Sequence, residues 1–168
     1  MAITVEDLYK QKSEIDNIKF ECSEAHERLK IARGYYASFL NASALFDFID
    51  ENGKKLALYE KFPGSSIGYG SHQKIYMSLQ LSRVRNLVEL GLSLQKYHKL
   101  RKKADYDLGL KITDDDANDA QIYLKDCKER IGFYIANGSQ HFTKSKKVVN
   151  ATKNSSGKLL VKGLTVLK

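Results

Sequence analysis

The residues best suited to chemistry stand in one short run. Leu100-Arg101-Lys102-Lys103-Ala104-Asp105-Tyr106-Asp107 places Arg, Lys, Asp and Tyr within two helical turns, and His98 lies three residues before Arg101. On a continuous helix, residues three apart share a face, so His98 and Arg101 are expected to point the same way. An arginine fork pairs with phosphate or carboxylate oxygens, and a histidine moves protons near neutral pH. Together they suit a phosphodiester. Tyr106, with a reference pKa of about 10, is a poor general base. The same spacing allows a purely structural arrangement, in which Arg101 pairs with Asp105 four residues on and Tyr106 packs under the helix end.

Other chemistry has little foothold. Gly68-Tyr69-Gly70-Ser71 has neither the lysine nor the preceding strand of a phosphate-binding loop, and no His-Glu-x-x-His, Cys-x-x-Cys or Gly-x-Ser-x-Gly occurs. His26, His72, His98 and His141 are scattered, and each alone reads as a surface or packed residue. The run Thr113-Asp114-Asp115-Asp116 reads as a helix N-terminus, with Thr113 capping and the carboxylates facing the positive end of the dipole. Cys22 and Cys127 match no metal or redox spacing and read as reduced core thiols. Neither a metal nor a cofactor is expected.

The elements that must position these residues follow the helical period. Val5 to Phe20 carries a thin apolar stripe through Leu8, Ile15 and Ile18. A second helix is expected from Ser23, as its cap, to about Asp50, with Asn52-Gly53 ending it. Residues 54–71 are rich in turn residues and form a connector. A third helical region runs from Ser71 to about Lys103 in one or two pieces, and a last helix from Thr113 to Asn137-Gly138. The fold class is all-α, an up-and-down bundle of four to five helices over residues 1–138.

Residues 139–168 differ in kind. Seven of the chain's 28 Lys and Arg fall there, among them Lys144, Lys146 and Lys147, with no Asp or Glu. The net charge of +8 is therefore concentrated at this end, and residues 1–138 are nearly neutral. A lysine-rich segment without acids attracts phosphates or anionic lipid without regard to sequence, and otherwise serves only as a solubilising extension. Ser155-Ser156-Gly157 followed by Leu159-Leu160-Val161 suggests a strand or hairpin. No apolar run reaches the roughly 20 residues that span a bilayer, and Met1 to Leu8 does not resemble a signal peptide. A cytoplasmic location is expected.

Two segments, in order, resemble a known family. Ala32-Arg33-Gly34-Tyr35-Tyr36-Ala37-Ser38-Phe39 is similar to the second-helix signature of HEPN domains, and Leu100-Arg101-Lys102-Lys103-Ala104-Asp105-Tyr106 resembles the Leu-Arg-x-x-Ala-Asp-Tyr element of the small bacterial members. The resemblance covers about residues 5–137. It implies a helical bundle, usually a homodimer, in a toxin–antitoxin or phage-defence system. Its active members cleave RNA without metal, leaving a 2′,3′-cyclic phosphate. Others bind nucleotides or proteins, with an antitoxin or a nucleotidyltransferase as partner. The family's catalytic pattern is Arg, then four to six residues, then His. Arg101 matches the Arg, but no His follows before His141. The resemblance therefore implies a catalytic set of Arg101, His98 and Tyr106, with Arg33, Lys102, Lys103, Lys144, Lys146 and Lys147 on nucleic acid. The alternative it leaves is a module without catalysis that docks a partner protein.

Overall fold

The computed structural model describes residues 4–18, 22–48 and 53–137, together with the backbone of 152–153 and 159–160. Five helices make an all-α bundle: α1 Val5–Asn17, α2 Ser23–Ala44, α3 Ser71–Gln80, α4 Arg85–Tyr106 and α5 Asp114–Asn137. Further on, the two-residue strands β1 Thr152–Lys153 and β2 Leu159–Leu160 pair antiparallel, Thr152 opposite Leu160.

Side-chain caps explain two of the five helix starts. Thr4 and Asp7 form a reciprocal capping box on α1. Thr113 and Asp116 repeat it on α5, with Asp116 accepting from Thr113 N at 2.8 Å and Thr113 Oγ1 accepting from Asp116 N at 3.2 Å. α2 departs from expectation: Cys22, not Ser23, is the N-cap, and no side chain caps it. Cys22 is exposed, so only Cys127 is a core thiol. α1 and α2 also stop short of the expected Phe20 and Asp50: Ile18 turns extended, and Leu45–Asp47 leave α2 as a turn.

The third helical region is two helices. Leu81–Val84 separate α3 from α4, stabilised by Ser82 Oγ accepting from Val84 N. α4 is the central element and packs on α2, α3 and α5. Leu87, Leu90, Leu94 and Tyr97 bury one stripe of α4, and Ile31, Tyr35, Ala42 and Leu45 extend the same core from α2 and its end. Two glycines set the spacing of these helices. A Cβ on Gly91 would lie 2.7 Å from the Tyr76 carbonyl oxygen of α3, and one on Gly34 would lie 2.2 Å from the Tyr97 hydroxyl of α4. Only glycine permits either approach.

Arg28 of α2 ties down the end of α4. Its guanidinium donates to the carbonyls of Lys103 (3.1 Å), Ala104 (2.9 Å) and Leu110, and pairs with Glu24. The last carbonyls of a helix lack partners within it. Arg28 caps the Ala104 carbonyl, adds a second donor to that of Lys103, which also accepts from Asp107 N, and anchors the loop to α5.

Candidate functional site

Three helices converge on the polar end of α4. α2 contributes Tyr35, Tyr36 and Phe39, α3 contributes His72 and Tyr76, and α4 contributes His98, Arg101 and Asp105. Arg101 is only 6% exposed. Its Nη2 donates to the Tyr36 hydroxyl, and its Nε lies 2.6 Å from Asp105 Oδ2. The Nε–H is not aimed at that oxygen and has no hydrogen-bond acceptor among the described residues. The contact is thus an ion pair that leaves a buried donor unfilled. The Tyr36 and Tyr106 rings each lie 4.8 Å from the Arg101 Cζ, at cation–π distance.

The α3–α4 contact brings together two histidines from different helices. The His72 and His98 rings stack with centroids 4.9 Å apart. Tyr35 stacks on His98 at 5.3 Å, and its hydroxyl lies 2.9 Å from His72 Nδ1. Phe39 closes on His72 at 4.4 Å, and Tyr76 on His98 at 5.8 Å. Burial depresses both histidines, with the nearby Arg101 charge adding to it. For His98 the pKa falls to about 4, with His72 and Lys102 also contributing. Both imidazoles are therefore neutral at neutral pH. Burial also pushes the Tyr35 hydroxyl well above the ordinary tyrosine range, so it keeps its proton.

The structure sets Tyr106, 64% exposed at the rim, against Arg101, and places His98 where the Arg101 charge acts on it, but no contact joins His98 to Tyr106 among the described residues. Arg33 and Lys102 are exposed and make no hydrogen bond or ion pair among the described residues. Lys103 is engaged elsewhere: its ammonium pairs with Asp116 at 2.6 Å, at the start of α5. Lys144, Lys146 and Lys147 lie outside the described residues. The structural arrangement weighed for Arg101 and Asp105, an ion pair one turn apart, is present. Tyr35, Tyr36, Phe39, His72 and Tyr76 are the members of the cluster that sequence reasoning did not assign. No local spacing links His72 to His98, and only the α3–α4 packing reveals it.

A cavity of about 530 Å³ between the starts of α2 and α5 is lined by Glu24, Glu27, Lys30, Lys111, Asp114 and Gln121, among others, and shares no residue with the cluster. Among the described residues no group of three or more His, Cys, Asp or Glu is placed to hold a metal ion, and no helix is long and apolar enough to cross a membrane. No protein-family model, curated protein or solved structure matches the chain.

Proposed function

We propose that the chain is a HEPN-like protein that binds RNA or a nucleotide at the α2–α3–α4 cluster, within a cytoplasmic toxin–antitoxin or phage-defence system. The observation that carries this reading is Arg101 held beside two stacked, neutral histidines. Arg101 pairs with a phosphate oxygen, and Tyr36 and Tyr106 flank the guanidinium. If RNA is cleaved, the 2′-hydroxyl attacks the adjacent phosphorus, His98 accepts its proton, and the bond to the 5′-oxygen breaks as that oxygen takes a proton from water, giving a 2′,3′-cyclic phosphate and a 5′-hydroxyl without metal. His98 is a weak base in the free protein. A phosphate against Arg101 offsets the positive charge that helps depress it, and so raises its basicity.

A second reading has its own observation. Arg101 is buried and paired with Asp105, and a phosphate must compete with that carboxylate. This favours a module that docks a partner protein, such as an antitoxin or a nucleotidyltransferase, without catalysis. Incubating the protein with end-labelled RNA in EDTA separates the two. Cleavage that Arg101→Ala and His98→Gln abolish, while circular dichroism shows intact helices, supports the enzyme. Cleavage unchanged by Arg101→Ala refutes the assignment. RNA that is bound but stays whole retains the binding site and discards the nuclease.

A further inference from the structure

The hydrogen bond between Tyr35 and His72 fixes which nitrogen of His72 carries the proton. Tyr35 is wholly buried, and His72 Nδ1, at 2.9 Å, is the one hydrogen-bond partner of its hydroxyl among the described residues. A buried hydroxyl that donates to nothing leaves the desolvation of its proton uncompensated. The arrangement that avoids this has Tyr35 donating into an unprotonated Nδ1. Neutral His72 then bears its proton on Nε2, a nitrogen with no hydrogen-bond partner among the described residues. His98, stacked 4.9 Å away, makes ring contacts but no hydrogen bond among the described residues. Tyr36 touches both sides of the site, with its ring 6.0 Å from His72 and 4.8 Å from the Arg101 Cζ.

We infer that Tyr35 locks His72 as the Nε2–H tautomer, so that His72 is a fixed neutral donor to a phosphate oxygen bound at Arg101, while His98 supplies the acceptor nitrogen. The inference rests on the RNA- or nucleotide-binding reading and adds a division of labour to it. Two chemically identical side chains take opposite hydrogen-bonding roles because only one has a tyrosine behind it. Protonating His72 would put an N–H against the Tyr35 O–H in a buried position with no second acceptor. That cost keeps the ring neutral alongside the burial and the Arg101 charge. The charged and titratable groups around the pair are Arg101, Lys102 and Asp105 on α4, Tyr35 and Tyr36 on α2, and Tyr76 on α3.

Long-range proton–nitrogen correlation spectra of the full chain, labelled at its histidines, test this at neutral pH. The expected result for the free protein is His72 protonated at Nε2 alone, and a mixture of tautomers in Tyr35→Phe. The probe is a short 2′-O-methyl RNA, which cannot be cut at its 2′-oxygen. Saturation with it is expected to move the His72 Nε2–H resonance. His72→Phe should weaken its binding by on the order of tenfold, and His72→Gln, which keeps a donor near Nε2, should restore most of that. A proton on His72 Nδ1 overturns the inference and leaves RNA binding untouched. An Nε2–H resonance that stays put in a saturated complex also overturns it and leaves the binding reading standing. Failure of the protein to bind the probe at all removes the inference together with the reading beneath it.

Discussion

Arg101 is a buried cation whose only carboxylate neighbour among the described residues is Asp105, itself a quarter exposed. Removing one member of such a pair leaves an uncompensated charge, which costs up to about 3–5 kcal/mol when burial is complete. The cost here is smaller, about 1–3 kcal/mol, because Asp105 keeps part of its solvent. Asp105→Asn is therefore expected to lower Tm and to tighten RNA binding, since a phosphate then meets an unpaired guanidinium. Thermal melts and filter binding at fixed salt check both, and looser binding in the variant would refute the phosphate role. His98 gives a second expectation. Its pKa is 6.5 as a free side chain and about 4 in the fold. Between these values the unfolded chain takes up the extra proton, so stability is fully present above pH 6.5 and is lost as pH falls toward 4. The shift corresponds to at most about 3 kcal/mol, less because the ring is partly solvated. His98→Gln should flatten the acid side of the stability curve in that window. Urea unfolding across the pH range reads this, and a slope identical to the parent's would show that the ring titrates normally.

At the scale of elements, the site depends on two close helix approaches. Gly91→Ala sets a methyl 2.7 Å from a backbone oxygen of α3. Overpacking of this kind costs about 1–3 kcal/mol, and alanine's better helix propensity returns at most about 1 kcal/mol. The variant is expected to lose stability and to part His72 from His98, read as a lower Tm with weaker RNA binding. Retention of both would show that α3 can shift without consequence. Arg28→Met keeps the aliphatic stem but leaves the Ala104 carbonyl without its cap and the Lys103 carbonyl with Asp107 N alone, at a cost of about 1.5–3 kcal/mol for charged hydrogen bonds. Amide exchange in the last turn of α4 should quicken there first. Much of this scale was legible in the sequence. Thr113 with its acids marked α5, and the apolar period of Leu87, Leu90 and Leu94 marked α4, because caps and stripes are local. The α3–α4 break was ambiguous: the apolar period runs on through Leu79 and Val84, and no proline or glycine marks 81–84. The pairing of His98 with Arg101 was legible because both sit on one helix face. His72 was not, since the angle and distance between two helices carry no local signal. Gly34 stands in the run that resembles the second-helix signature, but its reason, the Tyr97 hydroxyl pressed against it, is a tertiary fact.

For the whole molecule, charge and core separate along the chain. The main core cluster lies within residues 31–134, while a quarter of the basic residues fall in 139–168. Deleting 139–168 is expected to leave the melting temperature of the bundle close to that of the full chain. It should reduce the dependence of RNA binding on salt, because each phosphate left without its lysine lowers the logarithmic slope by roughly one unit. Titrations at several salt concentrations check this, and an unchanged slope would place all phosphate recognition on the bundle. The cluster, in contrast, belongs to no single element: α2, α3 and α4 each supply a ring or charge, and Gly34 and Gly91 hold these helices at contact distance. Such a site has no partly formed version. A ligand seated there stabilises the folded bundle relative to states in which any one of the three helices has detached. Its footprint in hydrogen exchange should then be slowed opening of α2, α3 and α4 as one cooperative unit, far wider than the few side chains it touches.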